Sequence, residues 1–243
     1  MSVFSTTLRL RNKDVELHRR LRTSVLFELM QEASIRHTEE LGMGREMTLD
    51  RGLLWMVTLQ RAVIERMPEY DEVIALESWP GDTMHLLFPR YYRVLDEAGN
   101  ALVSASALWA LVDQETRRMV FPDRYGIVIE GEKTGNEIAL PSPPPRAKEG
   151  QLSAFTVPYS YVDLNGHMNN TRYFDLAEDR IKSAAEGRPL RSIAVEYANE
   201  ARLGDELRVT VEHEGNTYRV SGDTEKKIFR MEFVYSVRKE DTL

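Results

Sequence analysis

Val15-Glu16-Leu17 stands a fixed distance ahead of Phe27-Glu28-Leu29, and Val162-Asp163-Leu164 stands at the same distance ahead of Phe174-Asp175-Leu176. One offset of 147 positions superimposes both pairs, so the chain reads as two copies of one unit. Working outward, a loop about seven residues longer in the first copy would bring Leu53–Val57 onto Ile193–Tyr197, and Asp71-Glu72-Val73 then falls roughly on Asp205-Glu206-Leu207. Each copy begins with a helical pattern: Leu26, Leu29, Met30 and Ala33 in the first, with Thr23 or Ser24 as cap and Gly42 as stop. In the second copy the stripe is Tyr173, Phe174, Ala177, Ile181 and Ala184, ending near Gly187 and Pro189. Alternation at Leu53-Trp55-Val57, Ile193-Val195-Tyr197 and Val209-Val211 predicts strands, as do the runs 86–94, 102–112 and 229–237. The expected fold class is α+β: a long helix wrapped by an antiparallel sheet, twice over.

Pro141, Pro143, Pro144 and Pro145 cluster between Gly131 and Gln151 and favour an extended connector. The expected units are therefore 1–130, a Pro-rich linker 131–152, and 153–243. The length of 243 residues suits two units of roughly 100–200 residues each. Thirty-two basic and 39 acidic side chains give a net charge of −7, which argues against a broad grip on nucleic acid or an anionic membrane. The chain has no cysteine, which excludes disulfides, thiolate nucleophiles and iron–sulfur ligation. His18, His37, His85, His167 and His213 lack ligand spacing, and no phosphate loop or dinucleotide fingerprint occurs, so no metal or cofactor is expected. Met1–Asp14 carries Arg9, Arg11 and Lys13 without an apolar run, and no stretch approaches the ~20 apolar residues of a membrane span; a cytoplasmic location is the expectation.

Asp163-Leu164-Asn165-Gly166-His167-Met168-Asn169-Asn170 gathers a carboxylate, three amides and an imidazole directly before the second helical stripe. Asn165-Gly166 is a tight-turn pair that can aim Asp163, Asn165 and His167 at one spot. His167 and Met168 are expected at the helix start, where unpaired N–H groups favour developing negative charge. A base or nucleophile, an oriented imidazole and oxyanion donors would then share one site. At the matching positions the first copy has Glu16, His18, Arg19 and Arg20, without the turn glycine or the imidazole.

Asp163-x-x-Gly166-His167-x-Asn169-Asn170-x-x-Tyr173 resembles the signature of hotdog-fold thioesterases. Asp163-x-Asn165-x-His167-x-Asn169 is similar to the form in acyl-acyl carrier protein (acyl-ACP) thioesterases, including the plant FatA and FatB types. Tyr197-Ala198-Asn199-Glu200-Ala201 resembles that family's Tyr-x-x-Glu-Cys stretch, with Ala201 where cysteine often stands. The resemblance implies a tandem hotdog with its active residues in the second copy, and Asp163, Asn165, His167 and Glu200 as the catalytic set. The missing cysteine excludes an acyl-enzyme on sulfur; whether Asp163 orients the network or attacks to form an anhydride stays open. In the first copy, Gln60 is the expected counterpart of Glu200.

The resemblance implies hydrolysis of fatty acyl-ACP, releasing the free acid and ending chain elongation. A hotdog acyl-CoA thioesterase, a non-catalytic acyl-binding hotdog and a hotdog dehydratase are the alternatives. The first copy would supply the acyl pocket, with Leu26, Leu29, Met30, Leu53, Trp55, Met56 and Val57 as apolar candidates and Asn169 as a further substrate contact. The carrier is acidic, so Arg19, Arg20, Arg22, Arg172, Arg188 and Arg191 are the expected docking patch. Hotdogs work in pairs, a requirement that the tandem chain can meet as a monomer or as a homodimer.

Overall fold

The computed structural model describes residues 3–136 and 138–237; residues 1, 2, 137 and 238–243 of the expected units lie outside the described residues. Thr23–Glu40 forms helix α1, in which Leu26, Phe27, Met30, Ala33, Ser34 and His37 recur at helical spacing and are all buried. Arg22 is its N-cap, with Thr23 and Ser24 buried inside the first turn, and Gly42 follows its end at a φ of 72°. Strands β1 (Phe4–Arg9), β2 (Leu53–Ile64), β3 (Val73–Pro80), β4 (Leu87–Leu95) and β5 (Ala101–Asp113) complete the first half. The second half consists of β6 (Gln151–Thr156), α2 (Arg172–Glu178), α3 (Lys182–Ala185), β7 (Leu190–Tyr197), β8 (Glu206–Glu214), β9 (Thr217–Asp223) and β10 (Lys227–Tyr235).

All ten strands form one sheet in the order β1-β3-β4-β5-β2-β7-β10-β9-β8-β6, which reads the same from either end once the halves are matched. Antiparallel pairing of β2 with β7 sets Arg61 opposite Ala194 at the middle. On the helical face Phe27 stacks on Phe174 with ring centroids 4.1 Å apart, so equivalent residues meet on the same axis. Two bridges occur once per copy: Val15–Leu21 with Val162–Met168, and Arg20–Glu69 with His167–Arg202. They fix the correspondence at 147 positions before the helix and 133 after it. Leu53–Val57 therefore does not overlay Ile193–Tyr197, and the counterpart of Glu200 is Met67 rather than Gln60.

The longer first-half loop has a local cause. Helix α1 runs for 18 residues and is followed by two single 3-10 turns, whereas the second stripe breaks after α2. Ile181 is extended and buried between α2 and α3, and Arg180 caps the break by donating to the Leu176 carbonyl at 2.8 Å. A single helix over the second stripe is thus replaced by two short ones.

Among the described residues, the Pro-rich segment carries no helix or strand until β6 begins at Gln151, but it is docked on the sheet. Pro141, Pro144 and Ala147 are buried while the residues between them are half-buried or exposed, a period of three that matches one face of a polyproline helix. The Ala139 carbonyl accepts from Ser106 of β5 at 2.7 Å, and the Ala147 N–H donates to Ser221 of β9 at 3.0 Å. Hence β5 is buried along most of its length, with the strap seated on it at Ser106.

Candidate functional site

The turn ahead of α2 is built by its own polar groups. The Asp163 Oδ1 accepts the Asn165 N–H at 2.8 Å, the Asp163 N–H donates to the His167 carbonyl, and Gly166 adopts a φ of 78°. The first half repeats this backbone: Glu16 accepts the His18 N–H at 2.9 Å, and Arg19 takes the positive φ of 67° that Gly166 takes here. Glycine at this corner is therefore not what distinguishes the halves. The difference lies in side chains, with Arg20 in place of His167 and Met67 in place of Glu200.

The turn is then pinned to the loop after β7. His167 bridges Arg202, and the Met168 N–H donates to the carbonyl of fully buried Ala201 at 2.8 Å. That register brings Glu200 beside the imidazole, with Oε2 3.1 Å from Nε2. Arg117, on the tight turn after β5, reaches in from the first half. It donates to His167 Nδ1 at 3.2 Å and forms a two-point ion pair with Glu200, its Nε 3.2 Å from Oε2. Arg117 itself sits at a φ of 57°, in a turn held by Asp113, which accepts from Thr116 twice at 2.7 Å.

These contacts assign the ring. A guanidinium only donates, so Nδ1 accepts, Nε2 carries the proton, and the neutral imidazole donates to Glu200. Burial lowers the His167 pKa from its ordinary value; Glu200 opposes the shift and Arg117 and Arg202 add to it. Burial also raises the Tyr173 and Tyr197 hydroxyls, which line the same pocket and stay protonated, and Tyr197 donates to the Asn170 carbonyl at 3.1 Å.

Asp163, Asn165, His167 and Glu200 share one cavity of about 110 Å³ with Arg117, Asn170, Trp55 and Met56. Trp55, Leu54 and Asn165 also line a second, larger cavity of about 230 Å³ between the C-terminal half of α1 and strands β4 and β5. Phe88, Pro89, Trp109, Ile129 and Leu49 give that neighbour an apolar wall, and Leu164 of the turn stands on its rim. Among the described residues, no group of three or more His, Asp or Glu side chains could hold a metal ion.

Several expected positions are corrected. His167 and Met168 do not start a helix, because α2 begins at Arg172. The N–H groups of Met168, Asn169, Thr171 and Arg172 are taken by Ala201, Tyr161 and Asn169, while Asn165 and Asn170 both line the pocket. Asn169 is a turn cap whose Oδ1 accepts from Thr171 twice, on a separate groove with Glu28 and Gln31. Leu26 and Met30 are fully buried core residues, and Leu29 packs half-buried against that core; Trp55, Met56 and Val57 are the apolar candidates that reach the cavities.

The six arginines form no single patch. Arg20, Arg22 and Arg188 line the first half's counterpart of the His167 pocket, together with Glu16, His18 and Met67. Arg20 is paired with Glu16 at 3.3 Å, and Arg188 donates to Ser183 at 2.8 Å and to the Ser236 carbonyl. Arg19 lies over Tyr70, Arg191 donates to the Glu65 carbonyl, and Arg172, the one beside the Asp163–Asn170 turn, pairs with Asp175 at 2.9 Å. Arg117 carries no sequence signal, since its partners are 50 and 83 positions away.

Comparison with known proteins follows the same division. The acyl-ACP thioesterase N-terminal domain matches residues 1–123, and the acyl-ACP thioesterase C-terminal domain matches residues 145–240. The chain is 24% identical over 219 residues to the chloroplastic acyl-[acyl-carrier-protein] hydrolase FATB3 of Cuphea viscosissima, covering 82% of this chain and 52% of the relative. It is 25% identical over 228 residues to the chloroplastic dodecanoyl-[acyl-carrier-protein] hydrolase of Umbellularia californica, covering 85% and 58%. The chain thus spans about half the length of the curated relatives it matches. In structure it is similar to an acyl-ACP thioesterase from Bacteroides thetaiotaomicron (TM-score 0.83, 20% identity, 96% of this chain and 98% of that one). A 12:0-ACP thioesterase from Umbellularia californica is likewise similar (TM-score 0.77, 23% identity, 97% and 98%). With the helix and sheet described above, this likeness makes the fold a double hotdog.

Proposed function

This chain belongs to the acyl-ACP thioesterase family, and from that premise we propose that it hydrolyses the thioester of fatty acyl-ACP to the free acid and the carrier thiol. The observation that carries the reading is the His167–Glu200 contact of 3.1 Å in one pocket with Asp163 and Asn165, opening beside an apolar cavity of acyl-chain character. Trp55 and Asn165 border both spaces, so a chain laid in the larger one would bring its carbonyl to the turn.

Both ring nitrogens of His167 are engaged, by Arg117 and Glu200, so taking a proton from water would first cost the Arg117 hydrogen bond. We therefore assign attack to Asp163. Its carboxylate adds to the thioester carbon, the Asn165 amide holds the oxyanion, and the carbon–sulfur bond breaks to release the thiolate, which takes up a proton. Water then opens the mixed anhydride. Glu200, held by Arg117 and by the His167 N–H, positions that water and accepts its proton, replacing the one the thiolate took up.

Acyl-ACP and acyl-CoA thioesters of several lengths, assayed side by side, test the function. Wild type is expected to favour the carrier-bound esters, and Asp163→Asn to lose turnover while keeping its melting temperature. Full activity in that variant, or hydrolysis of no thioester by the wild type, would overturn the reading. Single turnovers in ¹⁸O-water test the attack by Asp163: label in its side chain supports an anhydride opened by water at the Asp163 carbonyl.

A further inference from the structure

A third cavity, of about 420 Å³, lies between the Glu16–Arg20 turn, α2 and the end of β10. The strand registers show what it corresponds to. Val57 lies opposite Trp109 at a bulge in the β2–β5 pair, and Leu190, its counterpart 133 positions on, lies opposite Tyr235 at the matching bulge of β7 and β10. Trp109 walls the larger apolar cavity, whereas Tyr235 shares one space with the turn. Turn chemistry and hydrocarbon space, separate in the other half, are thus merged here.

Three donors in this wall lack an acceptor that suits them. Tyr235 is 2% exposed, yet its hydroxyl has no hydrogen-bond partner among the described residues, and burial raises its pKa so that it stays protonated. Arg188 is unpartnered at Nε, and its other nitrogens meet only neutral groups, the Ser183 hydroxyl and the Ser236 carbonyl. Glu178 accepts from Thr23 at 2.7 Å; burial, with Asp175, Glu16 and Asp179 adding, pushes its carboxyl up to about 7, so it carries a proton below that pH. The remaining charges of the cavity are paired or face solvent. Asp175 is tied to Arg172 at 2.9 Å and Glu16 to Arg20 at 3.3 Å, while Asp179, His18 and Arg22 are exposed.

A buried hydroxyl and a guanidinium edge without acceptors cost free energy that only an acceptor recovers. A neutral one would satisfy the hydroxyl, but the charge of Arg188 calls for an anion. Leu21, Met67 and Leu190 line the same space, so the anion that fits carries hydrocarbon.

We propose that this cavity is a second binding site, for a free monocarboxylic acid, with the carboxylate held by Arg188 Nε and the Tyr235 hydroxyl and the alkyl part laid against Leu21, Met67 and Leu190. Protonated Glu178 is the third donor to the same head group. The site goes beyond the thioesterase reading and does not depend on it; on that reading, the released acid is itself such a ligand.

Calorimetric titration of sodium octanoate into the full chain tests the site. The expected result is a binding class that persists in Asp163→Asn, weakens about 10- to 100-fold in Arg188→Met and about 3- to 10-fold in Tyr235→Phe. Tyr235→Phe deletes an unpaired hydroxyl and should melt no lower than wild type, so it decides the matter if Arg188→Met fails to fold. Since the bound anion keeps Glu178 protonated, binding should take up about one proton at pH 8 and almost none at pH 5, read from heats in buffers of different ionisation enthalpy. In Glu178→Gln, whose amide still accepts from Thr23 and can donate to the ligand, binding should persist at both pH values without proton uptake. Octanol and octylammonium should bind at least tenfold more weakly than octanoate. The proposal is overturned if no octanoate class responds to Arg188→Met or Tyr235→Phe, if octylammonium is preferred, or if binding releases protons. A chain that hydrolyses no thioester but binds octanoate in this way removes the thioesterase reading and leaves the site standing; hydrolysis without that class does the reverse.

Discussion

The imidazole of His167 has a charged guanidinium on one nitrogen and a carboxylate on the other, and the balance between them sets its titration. Burial and Arg117 both disfavour the imidazolium, so the neutral form prevails at pH 7 and the acid limb of activity lies below the ordinary histidine range. Arg117→Ala removes a nearby positive charge and should move the His167 pKa upward; an NMR titration of the ring that shifts downward or not at all would contradict the assigned geometry. Glu178 offers a contrasting case in the other half's pocket. Burial, with Asp175 and Glu16 adding, pushes its carboxyl up to about 7, while Thr23 donates to it at 2.7 Å. The folded state then holds this proton more tightly than the unfolded chain, so stability falls as pH rises through the interval up to 7. Glu178→Gln keeps an acceptor for Thr23 and should raise Tm by about 2–4 °C at pH 8 and leave it unchanged at pH 4. At this scale Asp163, Asn165 and His167 could be singled out because they lie within five residues, and Glu200 only through the resemblance of Tyr197–Ala201 to a family motif. Arg117 could not, because its meaning depends on partners supplied by the other half.

Among the elements, α1 was legible because its stripe is uninterrupted, and β4, β5 and β10 because their apolar runs are long. The edge strands β1 and β6 were not, since each is six residues with mostly half-exposed or exposed positions. The break between α2 and α3 was hidden by a stripe that continues across it through Ile181. The strap was legible as extended chain but not as core, because proline marks conformation and says nothing of what the ring touches. Its burial predicts a sharp positional contrast. Ala147→Asp would put a charge beneath the sheet's outer face and should cost about 1–3 kcal/mol in denaturant unfolding, whereas Ser142→Asp, at an exposed position of the same segment, should stay within about 0.5 kcal/mol. Equal effects at the two sites would mean the strap is not seated.

At the level of the whole molecule, the two halves share one sheet through β2 and β7, one aromatic stack and one strap. Neither half can open without exposing a strand edge and a buried ring, so unfolding should be a single transition with matching calorimetric and van't Hoff enthalpies. Two resolved transitions in a scanning calorimeter would show that the halves are independent. The repeat in the sequence revealed this plan from its first two matched triplets, but the match of Leu53–Val57 to Ile193–Tyr197 slipped by seven positions, because β2 is longer than β7 and letters alone could not place one along the other.

The identical backbone of the two corners, Arg19 in one and Gly166 in the other, has a consequence for how such a molecule can change. When two separate but identical subunits meet on an axis, every substitution is made on both sides at once, and a corner cannot lose its chemistry on one side alone. Tied end to end, the sides inherit separately. Glu16 clasping Arg20 beside Met67 is then what remains where the bend is still needed to close the sheet and the reaction is not.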